Sequence, residues 1–124
     1  MMTGMPRFVI LKHELPPGHD RSKHYDLMLE QNGVLRTWAC EEFPSSDMTA
    51  QRLADHRPAY LDYEGPVSGG RGSVTRVESG DYERLHDSAD SFQVRLMGSK
   101  LIGILTITLD NEEPQRWRVT FESG

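Results

Sequence analysis

The chain of 124 residues holds one cysteine, Cys40, so it can form no internal disulfide and gives no sign of secretion. The neighbours Thr37, Trp38 and Ala39 suggest a packed, inert thiol rather than a nucleophile. The stretch Met1 to Met5 lacks the charged-then-apolar pattern of a leader, which implies a cytoplasmic protein. Long apolar runs are missing too. Leu101 to Leu109 is too short and too threonine-rich to span a bilayer, so no membrane association is expected. Positive charge is scarce: 14 Lys and Arg face 19 Asp and Glu, a net charge of −5. That argues against a nonspecific nucleic-acid coat, though not against a local electropositive pocket to which a metal ion contributes. There is no repeat and no low-complexity run. Gly-x-Ser-x-Gly is absent and no Cys–His pairing is suggested, which leaves acyl transfer without support.

What is present reads as one domain, residues 1–124, with residues 1–6 as a flexible N-terminus. Its signals are strand signals. Arg7 to His13 is rich in apolar and β-branched residues. From His24 to Glu30 the side chains alternate: His24, Asp26, Met28 and Glu30 share one face, Tyr25, Leu27 and Leu29 the other. Asn32-Gly33 then predicts a two-residue hairpin leading into Val34 to Cys40. Asp47 can cap a short helix, Met48 to Ala54. Further strands are expected at Tyr60 to Val67 (broken by Pro66), Ser73 to Glu78, Asp81 to Leu85, Phe92 to Met97 and Lys100 to Leu109. Ser79-Gly80 and Gly98-Ser99 read as turns, Asn111 to Pro114 as a loop, and Trp117, Val119 and Phe121 as one face of a last strand. The predicted fold class is all-β, a closed or nearly closed barrel of about seven to eight short strands with one short helix and long loops.

His24-Tyr25-Asp26 carries the most chemistry. Residues two apart on a strand point the same way, and His13 ends the preceding strand beside them. Two imidazoles and a carboxylate make a mixed N/O set suited to Mn²⁺, Fe²⁺, Zn²⁺ or Co²⁺, with positions left for water and substrate. The plainer reading is a hydrogen-bonded His–Asp pair on a solvated face. In Asp55-His56-Arg57-Pro58-Ala59-Tyr60, His56 can donate to an oxyanion or act as general acid and Tyr60 is a neutral donor. The plainer reading there is a surface loop turned by Pro58. Ser68 to Ser73 is glycine-rich and can cradle an anion or simply form a hairpin loop. It lacks the Lys-Ser/Thr of a nucleotide-binding loop. His19 and His86 are read as solvated.

The order of these motifs resembles the 3′-phosphoesterase module of bacterial DNA ligase D, from about Arg7 to Phe121. The likeness runs through Phe8 to His13, His24 to Glu30, Gly33-Val34-Leu35, Trp38-Ala39, Pro44-Ser45, Arg52-Leu53-Ala54, Asp55-His56 and Tyr60. It continues through Glu64-Gly65, Gly98 to Gly103 and Trp117. The resemblance implies a barrel with a Mn²⁺ site on its polar face (Zn²⁺ or Co²⁺ as substitutes). It also implies hydrolysis at the 3′ end of a DNA or RNA-tailed DNA strand, removing a ribonucleoside and then a 3′-phosphate. Carried over by position, His13, His24 and Asp26 hold the metal, His56 and Tyr60 contact the scissile phosphate, and Arg52 lies near the same pocket. The expected partners are such strand ends and a separate ligase, polymerase or end-binding repair protein, the chain being a stand-alone module.

One departure bears on mechanism. Where that family places a phosphate-gripping arginine two residues after the Asp, this chain has Met28. An apolar thioether cannot do the work of a planar two-pronged cation. If that limits turnover, Met28→Arg should raise the rate. Arg21, Lys23 and Arg57 are candidates to replace the cation, the first two in the ten residues between His13 and His24. An alternative function is a phosphate- or nucleic-acid-end binding module of a repair complex that has lost catalysis. A third is a 2-His-1-carboxylate iron oxygenase, for which this residue order is unusual.

Overall fold

The computed structural model describes residues 4–16, 23–110 and 116–124, with the side chain of Lys23 left out. Nine strands form one sheet: β1 (Arg7–Glu14), β2 (Lys23–Gln31), β3 (Val34–Cys40), β4 (Met48–His56), β5 (Gly65–Pro66), β6 (Ser73–Asp87), β7 (Ser91–Gly98), β8 (Ile102–Leu109) and β9 (Arg116–Ser123). Their order is β1-β2-β3-β4-β9-β8-β7-β6-β5, and β1 also pairs with β6. That last pairing closes eight antiparallel strands into a barrel and leaves two-residue β5 as an extra edge. Closure removes the long open edges that so many short strands would otherwise expose.

Asn32 and Gly33 both take positive φ, 54° and 83°, and form the two-residue turn that joins β2 to β3. The mirror-image turn matches strand twist and needs residues that tolerate the left-handed region. Register then follows, with Gln31 opposite Val34 and Asp26 opposite Ala39. In the barrel interior Phe8, Ile10, Leu27, Leu29, Trp38, Phe92, Val94, Leu96, Leu105 and Val119 form one buried cluster. Burial of each large apolar side chain contributes about 1.5–3 kcal/mol. Cys40 is part of this interior, and burial pushes its thiol up to about 12, so it is inert.

The outer wall carries a second, smaller core. Val9, Leu11, Met28, Leu35 and Val74 point outward and are covered by Leu61, with Tyr60 and Val67 against them. Leu61 and Tyr60 come from a single 3-10 turn, Pro58–Leu61. The β2 face that holds His24 and Asp26 is therefore not a solvated face. It is the floor of a lidded patch.

Three expectations need correction. Met48 to Ala54 is strand, not helix: β4 pairs with both β3 and β9, and two ladders of hydrogen bonds override the helix propensity of Met, Ala, Gln, Arg and Leu. The helical turn lies later, at Pro58–Leu61, where a strand was expected, and only Gly65–Pro66 of that segment pairs. Ser79-Gly80 is not a turn. β6 runs through it for 15 residues, pairing with β1 over Ser73 to Asp81 and with β7 over Gly80 to Asp87. A Cβ on Gly80 would sit 2.2 Å from the Met97 carbonyl oxygen, so this glycine marks a close backbone approach where the strand changes partner. The loop expected at Asn111 to Pro114 falls outside the described residues.

Gly98-Ser99 does turn, and a buried carboxylate holds it. Glu78 accepts hydrogen bonds from the Ser99 hydroxyl (2.8 Å) and from the backbone N–H groups of Ser79, Ser99, Lys100 and Leu101 at 2.6–3.1 Å. Burial alone would raise its pKa. The bonds from Leu101, Ser99, Lys100 and Ser79 outweigh it and hold the carboxyl below the usual glutamate range.

Candidate metal centre

Strand pairing builds the site. His13 lies directly opposite His24 and Leu11 opposite Asp26. Paired residues share a face, so both imidazoles and the carboxylate converge on the outer wall. One ligand atom from each of the three lies within 4.8 Å of the others, and this is the only such group of His, Cys, Asp or Glu among the described residues. His24 and Asp26 are 5% and 4% exposed.

The hydrogen bonding leaves room for a cation. His13 Nε2 donates to the Arg71 carbonyl at 2.7 Å, since a carbonyl can only accept. In the neutral ring His13 Nδ1 is then a lone pair, and it faces Asp26 Oδ2 at 3.6 Å. Two acceptors facing each other require a positive charge between them, either a proton or a metal ion. His24 Nε2 stands 3.0 Å from Asp26 Oδ1, yet Oδ1 and His24 Nδ1 are buried with no hydrogen-bond partner. Orphaned buried polar atoms are costly unless something satisfies them. The donor set and its unmet valences fit a divalent cation. Burial acts to raise the Asp26 pKa, but the two imidazoles outweigh it and hold the carboxyl down at about 2. Asp26 in turn raises the His13 pKa against the cost of burial.

The Arg71 carbonyl is delivered by the glycine-rich turn. Gly72 takes φ +87°, and a Cβ there would lie 1.9 Å from the Glu14 carbonyl oxygen, so only glycine lets this loop close onto the end of β1. A backbone acceptor that orients a metal-binding imidazole fixes its tautomer. The sequence carried a signal for this contact in its glycines, but could not tell which carbonyl would meet which histidine.

His56 and Tyr60 come together as a second group, their ring centroids 5.7 Å apart in an edge-on arrangement. His56 ends β4 and pairs with Leu35, so it faces outward like the trio. Its Nδ1 donates to the Ala54 carbonyl at 2.9 Å, which leaves Nε2 as the free edge of the ring. The row Val9–Met28–Thr37–Leu53 lies between this pair and the trio.

Arg52 is not brought to this face. It pairs with Trp38, which pairs with Leu27, and both belong to the barrel interior. Its guanidinium lies over the Trp38 ring at 4.7 Å and donates to the carbonyls of Thr37 and Leu53 and to Asp55. Strand alternation sets it on the face opposite the trio, a placement that a helix over this segment would not give. His19 and Arg21 fall outside the described residues, as does the Lys23 side chain. Met28 is 1% exposed, sealed beneath Leu61.

A cleft of about 720 Å³ lies at the Asn32-Gly33 end and touches none of these residues. A smaller cavity of about 230 Å³ adjoins the lid, lined by Arg57, Ala59, Tyr60, Tyr63, Pro66, Val67 and Ser68.

Fold and site together define a small closed antiparallel barrel with a His-His-Asp cluster on its outer wall, beside a lid whose Tyr60 packs against His56 at the end of β4. The profile of the DNA ligase D 3′-phosphoesterase domain matches residues 17–108, and the chain belongs to that family, whose description names a phosphoesterase and hence a hydrolase. The multifunctional non-homologous end joining protein LigD of Pseudomonas aeruginosa is 32% identical over 126 residues, covering 94% of this chain. Its counterparts in Mycobacterium bovis and Mycobacterium tuberculosis are each 32% identical over 121 residues, covering 89%. The chain spans 13% of the length of the first relative and 15% of the other two. The profile match takes in His24, Asp26, His56 and Tyr60; His13 precedes it and joins them through the β1–β2 register.

Proposed function

We propose that the protein is a divalent-metal-dependent hydrolase of 3′ ends, removing a terminal ribonucleoside, a 3′-phosphate or both from DNA or RNA-tailed DNA during repair. The observation that carries this is the trio of half-buried His13 with buried His24 and Asp26, whose facing acceptors lack a counter-charge, in a chain of the phosphoesterase family. His13, His24 and Asp26 would hold the ion, with Mn²⁺ the favoured occupant and Zn²⁺ or Co²⁺ as substitutes. When bound, such an ion polarises a phosphoryl oxygen and lowers the pKa of a coordinated water.

The chain's own residues do the rest. Arg71 holds the His13 ring through its carbonyl, and the second core keeps the β2 face rigid. His56, tied at Nδ1, presents Nε2; as an imidazolium it donates to a phosphate oxygen or protonates the departing oxygen. Tyr60 adds a neutral donor on the same side. Arg52 acts at one remove, fixing the end of β4 that carries His56. A strand end would lie across the lid between the two groups, delivered by a ligase, polymerase or end-binding repair protein in the cytoplasm.

The test is phosphate release from a 3′-phosphorylated oligonucleotide with Mn²⁺. The wild type should release phosphate and lose this in chelator, and His56→Ala should be slower by about 10²-fold or more. A wild type that releases nothing across Mn²⁺, Zn²⁺ and Co²⁺ contradicts the proposal.

A further inference from the structure

We propose that the 230 Å³ cavity at the lid seats the strand-end nucleotide, and that Arg57 supplies the guanidinium that Met28 cannot. This rests on the 3′-end reading above.

The floor between the trio and His56 offers no cation. Val9, Met28 and Leu35 are fully packed, and the Thr37 hydroxyl donates to the Leu35 carbonyl at 3.0 Å. Among the described residues, a positive group for a phosphate must therefore come from the lid or its rim. Three rim arginines are already engaged. Arg52 is bound on the interior side. Arg71 donates to the Ser68 carbonyl at 2.7 Å and its hydroxyl at 3.3 Å. Arg76, opposite Leu11, leans on Glu64 at 3.8 Å and the Leu61 carbonyl at 3.5 Å.

Arg57 differs. It is exposed, lines the cavity, and its guanidinium has no hydrogen-bond or ion-pair partner among the described residues. It follows His56 directly and leads into the turn that carries Tyr60. The cavity wall beside it carries groups a nucleotide uses: the aromatic rings of Tyr60 and Tyr63, packed edge to face with centroids 5.9 Å apart, and the hydroxyl of Ser68. Ser68 also ties the cavity to the metal centre, because Arg71, three residues on, gives its carbonyl to His13. Three residues of chain span at most about 10 Å. The cavity wall at Ser68 thus lies within about 10 Å of the Arg71 backbone that meets His13, and Arg57 lines the same cavity.

The experiment measures binding of a 3′-phosphorylated single-stranded oligonucleotide over a salt series, with phosphate release measured in parallel. The variants are Arg57→Ala, Arg57→Lys and, as a cation far from the lid, Arg118→Ala. Loss of one phosphate contact lowers the slope of log affinity against log salt by about 0.7 for a single strand. Arg57→Ala should show that drop with affinity reduced about tenfold or more, Arg57→Lys should keep the slope, and Arg118→Ala should match the wild type. If the wild type binds and hydrolyses while Arg57→Ala retains both slope and rate, the Arg57 assignment is overturned and the 3′-end reading stands. If the wild type neither binds nor hydrolyses, both fall together.

Discussion

Met28 follows Asp26 by two residues on the same strand face, and its burial under Leu61 decides what that position can do. An arginine there would place a charge among Val9, Leu11, Leu35 and Val74. Met28→Arg is therefore expected to destabilise the fold by about 3 kcal/mol or more, read from urea unfolding, rather than to speed turnover. A stability equal to the wild type would show that the lid opens freely. His24 and Asp26 were legible in the sequence because strand alternation alone sets them on one face, and His13 because it ends the neighbouring strand. The face on which Arg52 lies was not legible, because a face can be assigned only once the element type is right. Arg57 is one of the three cations the sequence offers, and the one of them whose side chain lies among the described residues, where it lines the lid cavity.

At the scale of elements, the β7–β8 turn depends on one side chain. Glu78 gathers the N–H groups of Ser99, Lys100 and Leu101, and a Cβ on Gly98 would meet Glu78 Oε2 at 2.6 Å. Glu78→Gln replaces an acceptor pair with one acceptor and one donor, leaving N–H groups unmet. The expected loss is about 1–3 kcal/mol. The pH dependence has a definite sign. The folded carboxyl lies below its ordinary value of 4.5, so its stabilisation is complete above that pH and is lost as pH falls through the lowered folded value. The stability gap between wild type and Glu78→Gln should narrow on acidification below about 4.5. A gap that is constant or widens in acid would contradict this. The sequence showed the Gly98-Ser99 turn but not its clamp, because Glu78 lies 21 residues from Ser99 and meets it only through the β6–β7 pairing. For the same reason β4 read as helix: its local propensity is helical, and only the ladders to β3 and β9 make it a strand.

For the whole molecule, closure of the barrel by β1 and β6 is what makes a site out of scattered residues. It brings the Arg71 carbonyl to His13, sets Val74 opposite His13, and lays the Pro58–Leu61 turn over the outer wall. The barrel class was legible from the number and spacing of strands. The closing pair was not, because it joins residues 59 to 74 positions apart, from Glu14–Ser73 to Arg7–Asp81, with no short turn between them. The central claim is that this assembly holds one divalent ion between His13, His24 and Asp26, and a calorimetric titration with Mn²⁺ tests it most directly. Wild type should bind one ion per chain, Asp26→Ala should bind none, and Glu78→Gln, if folded, should still bind one. Equal uptake by wild type and Asp26→Ala, or no uptake by the wild type, would contradict it.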